Sequence, residues 1–202
     1  MNKTAVGTEI PAGVVRRAKS GDADAMDQLL RHLYPLVSRW TLVRMGNADD
    51  AQDVTQEVMI RVNKYIKRFD HRSKLTTWAY QVTSNAAVDH HRRTRRREAT
   101  TETGDIDPTP NIVASASTSP ADGIDAAEAA GLVRMFFAEL PEKQREVFDL
   151  ADLQGYRSSE VAEMLQMNPA TVRGHLFRAR RFIRKKILQS NPKLVEAYGR
   201  EL

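Results

Sequence analysis

The segment from Leu140 to Lys186 constrains the fold more than any other part of the chain. It reads as two short helices joined by a tight turn, with arginines massed on the second. Ser158 is placed to cap the first helix, and Glu160 falls in its opening turn, where a carboxylate suits the helix dipole. Val161, Ala162 and Leu165 keep one face apolar, and Ala162 is small where the next helix must cross closely. Asn168 followed by Pro169 is a cap and first-turn signal for the second helix. Val172, Leu176, Ala179 and Ile183 recur at spacings of four, three and four, so they are expected to face inward. Arg173, His175, Arg178, Arg180 and Arg181 are left outside. The pattern predicts a helix-turn-helix that carries its charge to the major groove of DNA.

Charge is spread unevenly along the rest of the chain. His90 to Arg97 holds five arginines in eight residues, and Arg173 to Lys186 holds seven lysines and arginines. Glu98 to Val133 has no lysine or arginine but seven carboxylates. Two basic blocks around an acidic stretch suit a polyanion held at two places, although either block alone could be ordinary solvated helix surface.

Several classes of function are excluded or disfavoured. No cysteine is present, so the chain has neither disulfide nor thiolate metal site. The five histidines lack zinc-ligand spacing. Asp49, Asp50 and Asp53 form a carboxylate stripe without inward-facing partners, which makes a poor two-metal site. With no phosphate-cradling glycine loop either, an enzyme is not expected, and no metal or cofactor is expected. No apolar run is long enough to cross a bilayer, and the start of the chain lacks a signal-peptide pattern, which predicts a cytoplasmic protein.

Periodicity along the chain predicts an all-α fold with two small helical domains and a flexible acidic linker. Residues 1–13 are expected to be a mobile arm, and residues 14–97 a helical bundle. Its helices are predicted at Val14–Ala18, Ala23–Arg44, Ala48–Ile66 and Thr76–Arg96, with Pro35 placed to kink the second. Residues 98–124, rich in Ser, Thr and Pro, read as the linker. Residues 125–188 hold the helix-turn-helix, and residues 189–202 a tail.

Three stretches in this order resemble the extracytoplasmic-function (group 4) sigma factors of bacterial RNA polymerase, within the sigma-70 superfamily. Asp49-Asp50-Ala51-Gln52-Asp53-Val54-Thr55-Gln56-Glu57-Val58 is similar to that family's polymerase-binding helix. Lys74-Leu75-Thr76-Thr77-Trp78-Ala79-Tyr80, continued to Asn85-Ala86-Ala87-Val88-Asp89-His90, resembles its promoter-melting and minus-10 segment. The third stretch is the helix-turn-helix, which resembles the domain that reads the minus-35 element. The resemblance covers roughly Ala18 to Arg97 and Leu132 to Ile187.

The resemblance implies a dissociable subunit that brings core polymerase to particular promoters and opens them. Asp53, Gln56, Glu57 and Arg61 would meet the coiled coil of the polymerase's largest subunit. The C-terminal domain would meet the flap of the second-largest subunit, and an anti-sigma factor would restrain the whole. The loop with Asp70, Ser73 and Lys74 would capture a flipped base of the minus-10 element. Thr77, Trp78, Tyr80, Asn85, His90, Arg92 and Arg93 would complete that site. Asn168, Pro169, Thr171, Arg173, Gly174, His175, Phe177, Arg178 and Arg180 would form the minus-35 surface. Gly174, His175 and Ala151 depart from the residues common in the family, which leaves the minus-35 sequence open. Glu102, Asp105 and Asp107 of the linker would mimic phosphates in the polymerase channels. Trp78 suits a core as well as a wedge between bases, and Phe177 suits packing as well as a thymine methyl. The competing reading is a regulator that binds duplex DNA without joining the polymerase.

Overall fold

The computed structural model describes residues 10–100, 133 and 135–190. Helix α1 spans Ala12–Lys19, α2 Ala23–Met45, α3 Ala48–Tyr65 and α4 Leu75–Thr100, with a 3-10 turn at Ile66–Arg68. Further on, α5 covers Glu142–Phe148 and runs into a π-helical stretch, Asp149–Leu153; α6 is Ser158–Leu165 and α7 Pro169–Ser190. The described residues contain no strand, so the fold is all-α. None of their helices is long and apolar enough to cross a membrane.

Two compact units can be distinguished, one built on α1 to α4 and the other on α5 and α7. In the first, local chemistry sets each helix end. Asp22 accepts a hydrogen bond from the Ala25 backbone N–H at 2.9 Å and opens α2. Gly46, at φ +77°, closes α2 in the left-handed conformation that costs glycine least. Asn47 then caps α3 by accepting from the Asp50 N–H at 2.9 Å. Pro35 lies exposed within α2, which continues through it as one helix.

The core of this unit follows the predicted spacing. Leu29, Leu33, Val37 and Trp40 of α2 are buried with Val54, Val58 and Val62 of α3. On α4, apart from Tyr80, the buried positions are small or polar: Ala79, Thr83, Ala86 and Ala87 let α4 lie close against its neighbours. The buried hydroxyls of Thr41 and Thr55 share a hydrogen bond at 2.7 Å, so α2 and α3 meet there without an orphaned polar atom.

The second unit buries Phe136, Phe137, Leu140, Val147, Phe148 and Leu150 together with Val172, Leu176, Ala179 and Ile183 of α7. Lys186 donates to Glu139 at 2.6 Å while its ammonium lies over the rings of Phe136 and Phe182. On α6, Met164 is buried and Leu165 only half-buried, so the apolar stripe passes through Met164 instead of Leu165.

Other expectations need correction at the helix ends. Ala12 and Gly13, expected in a mobile arm, form the first turn of α1. Ser158 is the first residue of α6 and not its cap; Glu160 accepts from the Arg157 backbone N–H at 2.8 Å, half of a capping box. Helix α4 begins at Leu75 and reaches Thr100, so its arginine run is helical. The remainder of the acidic linker, residues 1–9 and the tail beyond Ser190 lie outside the described residues.

Candidate nucleic-acid interface

Helix α3 buries Val54, Val58 and Val62, which turns Asp53 and Gln56 outward and leaves Glu57 half-buried at the border. Ile60 stands 65% exposed one turn beyond them. It escaped the sequence reading, although its spacing of four from Gln56 and three from Glu57 puts it on that stripe. Arg61 faces differently from the expectation. Its Nε donates to Glu57 at 2.7 Å and its Nη1 to Asp89 of α4 at 2.9 Å. Partial burial opposes its charge, yet the two carboxylates outweigh that and raise its pKa. A second tie joins the same helices where His90 meets Asp50 at 3.0 Å. The Asp50 carboxyl is held below its ordinary range, first by the Asn47 amide and also by His90.

Between α3 and α4 the chain turns through Phe69 to Lys74. Phe69 is buried, and its ring lies 4.6 Å from His71 and 5.6 Å from Trp78. Lys19 of α1 donates to the Phe69 carbonyl at 2.5 Å, which fixes the base of the loop. His71 has φ +62°, in the left-handed region that few residues other than glycine adopt and that His tolerates better than most. Asp70 is exposed and accepts from the Arg72 backbone N–H at 3.2 Å. The Ser73 hydroxyl donates to the Lys74 carbonyl at 3.4 Å, and Lys74 itself is exposed.

Along α4 the expected minus-10 residues separate. Trp78 is half-buried on Phe69, so only part of its ring is open. Thr77 and Tyr80 are 1% and 4% exposed. Tyr80 sits edge-on to Trp40 with ring centres 5.2 Å apart. Both side chains therefore belong to the core and offer no surface to a strand. Asn85, Arg92 and Arg93 are exposed, and His90 is half-buried on Asp50. The arginines lie toward the C-terminal end of α4, where the helix dipole favours cations.

In the second unit Asn168 accepts from the Ala170 N–H at 2.8 Å, and Pro169 opens α7, as its sequence predicts. Thr171, Arg173 and Arg178 are exposed. Phe177 is 66% exposed and does not pack into the core of its unit. An added Cβ at Gly174 would stand 3.7 Å from the Arg178 guanidinium, so that side chain lies back along the helix. His175 is half-buried; burial lowers its pKa from 6.5, with Arg178 and Lys143 adding to the effect. Arg180 differs from its neighbours. Its guanidinium grips Asp152 of the π-helical stretch at 2.8 and 2.5 Å, a two-point ion pair within the unit.

Among the described residues no group of three or more His, Asp or Glu is arranged to hold a metal ion. The surfaces are an acid-amide stripe on α3 and cationic faces on α4 and α7. Comparison with known proteins gives these surfaces a common setting. Residues 29–97 match the Sigma-70 region 2 family, and residues 130–183 match Sigma-70, region 4. The chain is 26% identical over 179 residues to the ECF RNA polymerase sigma factor SigW of Bacillus subtilis, covering 86% of this chain and 94% of that protein. It is 29% identical over 180 residues to the RNA polymerase sigma-H factor of Pseudomonas aeruginosa, covering 86% and 92%. Its fold is similar to the sigma factor RpoE of Bartonella quintana, solved with the anti-sigma factor NepR, at a TM-score of 0.59 and 17% identity over 80% of this chain and 95% of that one. It is also similar to CnrH, solved with the cytosolic domain of CnrY, at a TM-score of 0.56 and 19% identity over 88% and 96%.

With both domain families matched in order, the chain belongs to the sigma-70 family, in its extracytoplasmic-function class. It directs RNA polymerase to promoters.

Proposed function

We propose that promoter-directed initiation is divided among three surfaces. Helix α3 docks the core polymerase, α4 with its preceding loop reads and opens the minus-10 element, and α7 reads the minus-35 element. The observation that carries this reading is the α3 stripe. Asp53, Gln56 and Ile60 face outward, with Glu57 at their border, on a helix whose opposite side is buried. Asp53, Gln56 and Ile60 take no part in the core of the first unit, which leaves them to a partner. A coiled coil of the polymerase's largest subunit suits it, and the flap of the second-largest subunit suits the second unit.

Opening a duplex costs about 1.4 kcal/mol for each base step. Without ATP chemistry, strand separation is offset only by tighter binding of the unpaired strand. Stacking on an aromatic ring contributes roughly 1–3 kcal/mol per base. The open part of Trp78 and the ring of His71 above Phe69 offer such surfaces, Asn85 offers an amide to a base edge, and Arg92 and Arg93 take phosphates. On α7, Arg173 and Arg178 reach guanine edges or phosphates, and Phe177 meets thymine methyls. The amide N–H groups at the start of α7 favour phosphate. Arg180, engaged by Asp152, secures α7 to its own unit in place of the DNA contact its sequence position suggests.

An anti-sigma factor is the expected regulator, since both structural relatives were solved with one or with a partner's cytosolic domain. The cytoplasm is the expected site of action. Run-off transcription with purified core polymerase, followed by permanganate footprinting, tests the division of labour. New transcripts with reactive thymines near the start site are the expected result. Retarded duplex with no transcript would favour the regulator that never joins the polymerase. Arg173→Ala is expected to weaken minus-35 binding by about 1–3 kcal/mol if the contact is bidentate. An unchanged affinity assigns that base to another residue.

A further inference from the structure

Three charged groups from two helices meet at one place in the first unit. Glu57 lies on the α3 stripe, Asp89 lies on α4, and the Arg61 guanidinium holds both, at 2.7 and 2.9 Å. A planar guanidinium with five donors can engage two carboxylates at once, which an ammonium does less well. Asp89 stands one helical turn after Asn85 and one turn before Arg92 and Arg93, amid the strand-facing residues of α4. His90, the next residue, reaches in the other direction to Asp50, eleven residues from Arg61 along α3. At 1.5 Å per residue those two anchors on α3 are about 16 Å apart. Asp89 and His90 thus tie one point of α4 to two separated positions on α3. Only the Arg61 tie also includes a group of the outward stripe.

Resting on the polymerase-docking assignment of α3, we infer that Arg61 is a positioning residue: it couples occupation of Glu57 by the polymerase to the setting of α4 for strand binding. The cluster holds two carboxylates and one guanidinium, so its net negative charge welcomes a cationic group from the partner. When that group takes Glu57, Arg61 loses one of its two acceptors and commits to Asp89. The tie between α3 and α4 tightens, and Asn85, Arg92 and Arg93 are held in place. Coupling of this kind is reciprocal, so bound strand must also strengthen polymerase binding.

The experiment measures core-polymerase affinity of the full chain with and without a single-stranded minus-10 oligonucleotide. Wild-type protein is expected to bind core more tightly in the presence of the strand, within the roughly 5–150-fold range usual for coupled sites. Arg61→Gln and Asp89→Asn are each expected to cut that enhancement by about fivefold or more. Core affinity without the strand should stay within about threefold of wild type, because neither variant removes the docking surface. Arg61→Lys, which keeps the charge but not the fork, guards against misfolding and should lose the enhancement with unchanged circular dichroism. Enhancement that survives all three substitutions overturns the inference. So does a large loss of strand-free core affinity in Arg61→Gln alone, which would make Arg61 a direct polymerase contact. Should Glu57→Lys leave core affinity unchanged, the docking assignment of α3 fails, an outcome distinct from loss of coupling alone.

Discussion

Glu57→Lys is expected to abolish co-purification with core polymerase while leaving the circular dichroism spectrum intact. The substitution removes the acceptor that Arg61 now uses and places a second cation beside it, on a stripe whose other charge is Asp53. A basic partner surface that is attracted to wild-type protein would meet repulsion at the same point. The fold should survive because the Glu57–Arg61 pair is partly solvated, and such pairs contribute about 0–1 kcal/mol. Like charges one turn apart cost a similar few tenths. Undiminished co-purification would place the polymerase on another face of the first unit.

Trp40→Ala should cost the first unit about 3–5 kcal/mol, the usual range for emptying a buried aromatic site. Trp40 is buried on α2 and meets the edge of Tyr80 on α4, so its loss opens the seam between those helices. Domains are stable by only about 5–15 kcal/mol, so a large part of the margin would go. Trp78, the other tryptophan, lies on α4 and reports unfolding of the same unit by fluorescence in urea. A loss below about 1 kcal/mol would mean that the site collapses onto Tyr80, and the seam does not depend on the indole. The two substitutions separate recognition from folding, since one alters only surface charge and the other only the core.

Much of the architecture was legible because it is local. Val54, Val58 and Val62 repeat every four residues, as do most of the inward positions of α7, and burial follows that repeat. Gly46 with Asn47, and Asn168 with Pro169, mark helix ends through hydrogen bonds made within a few residues. Local pattern misleads at a helix start by a single residue. Ser158 has the chemistry of a cap, but α6 already begins at Ser158, so the cap position falls on Arg157, whose N–H the Glu160 carboxylate accepts. Thr77 and Tyr80 share α4 with exposed Asn85, and polarity alone does not say which face of so mixed a helix turns inward. The contact of Tyr80 with Trp40 decides it.

Sequence by itself determined the helices, the inward faces of α3 and α7, the uneven charge and the three stretches of resemblance. Tertiary structure alone decided what the long charged side chains do. Arg61, His90 and Arg180 all occupy positions that a linear reading assigns to partners, yet they meet Asp89, Asp50 and Asp152, which lie 28 to 40 residues away. Helical periodicity arises from neighbours three or four residues apart and is written in the order of side chains. An ion pair across helices depends on where packing brings two distant backbones, and no local pattern carries that distance.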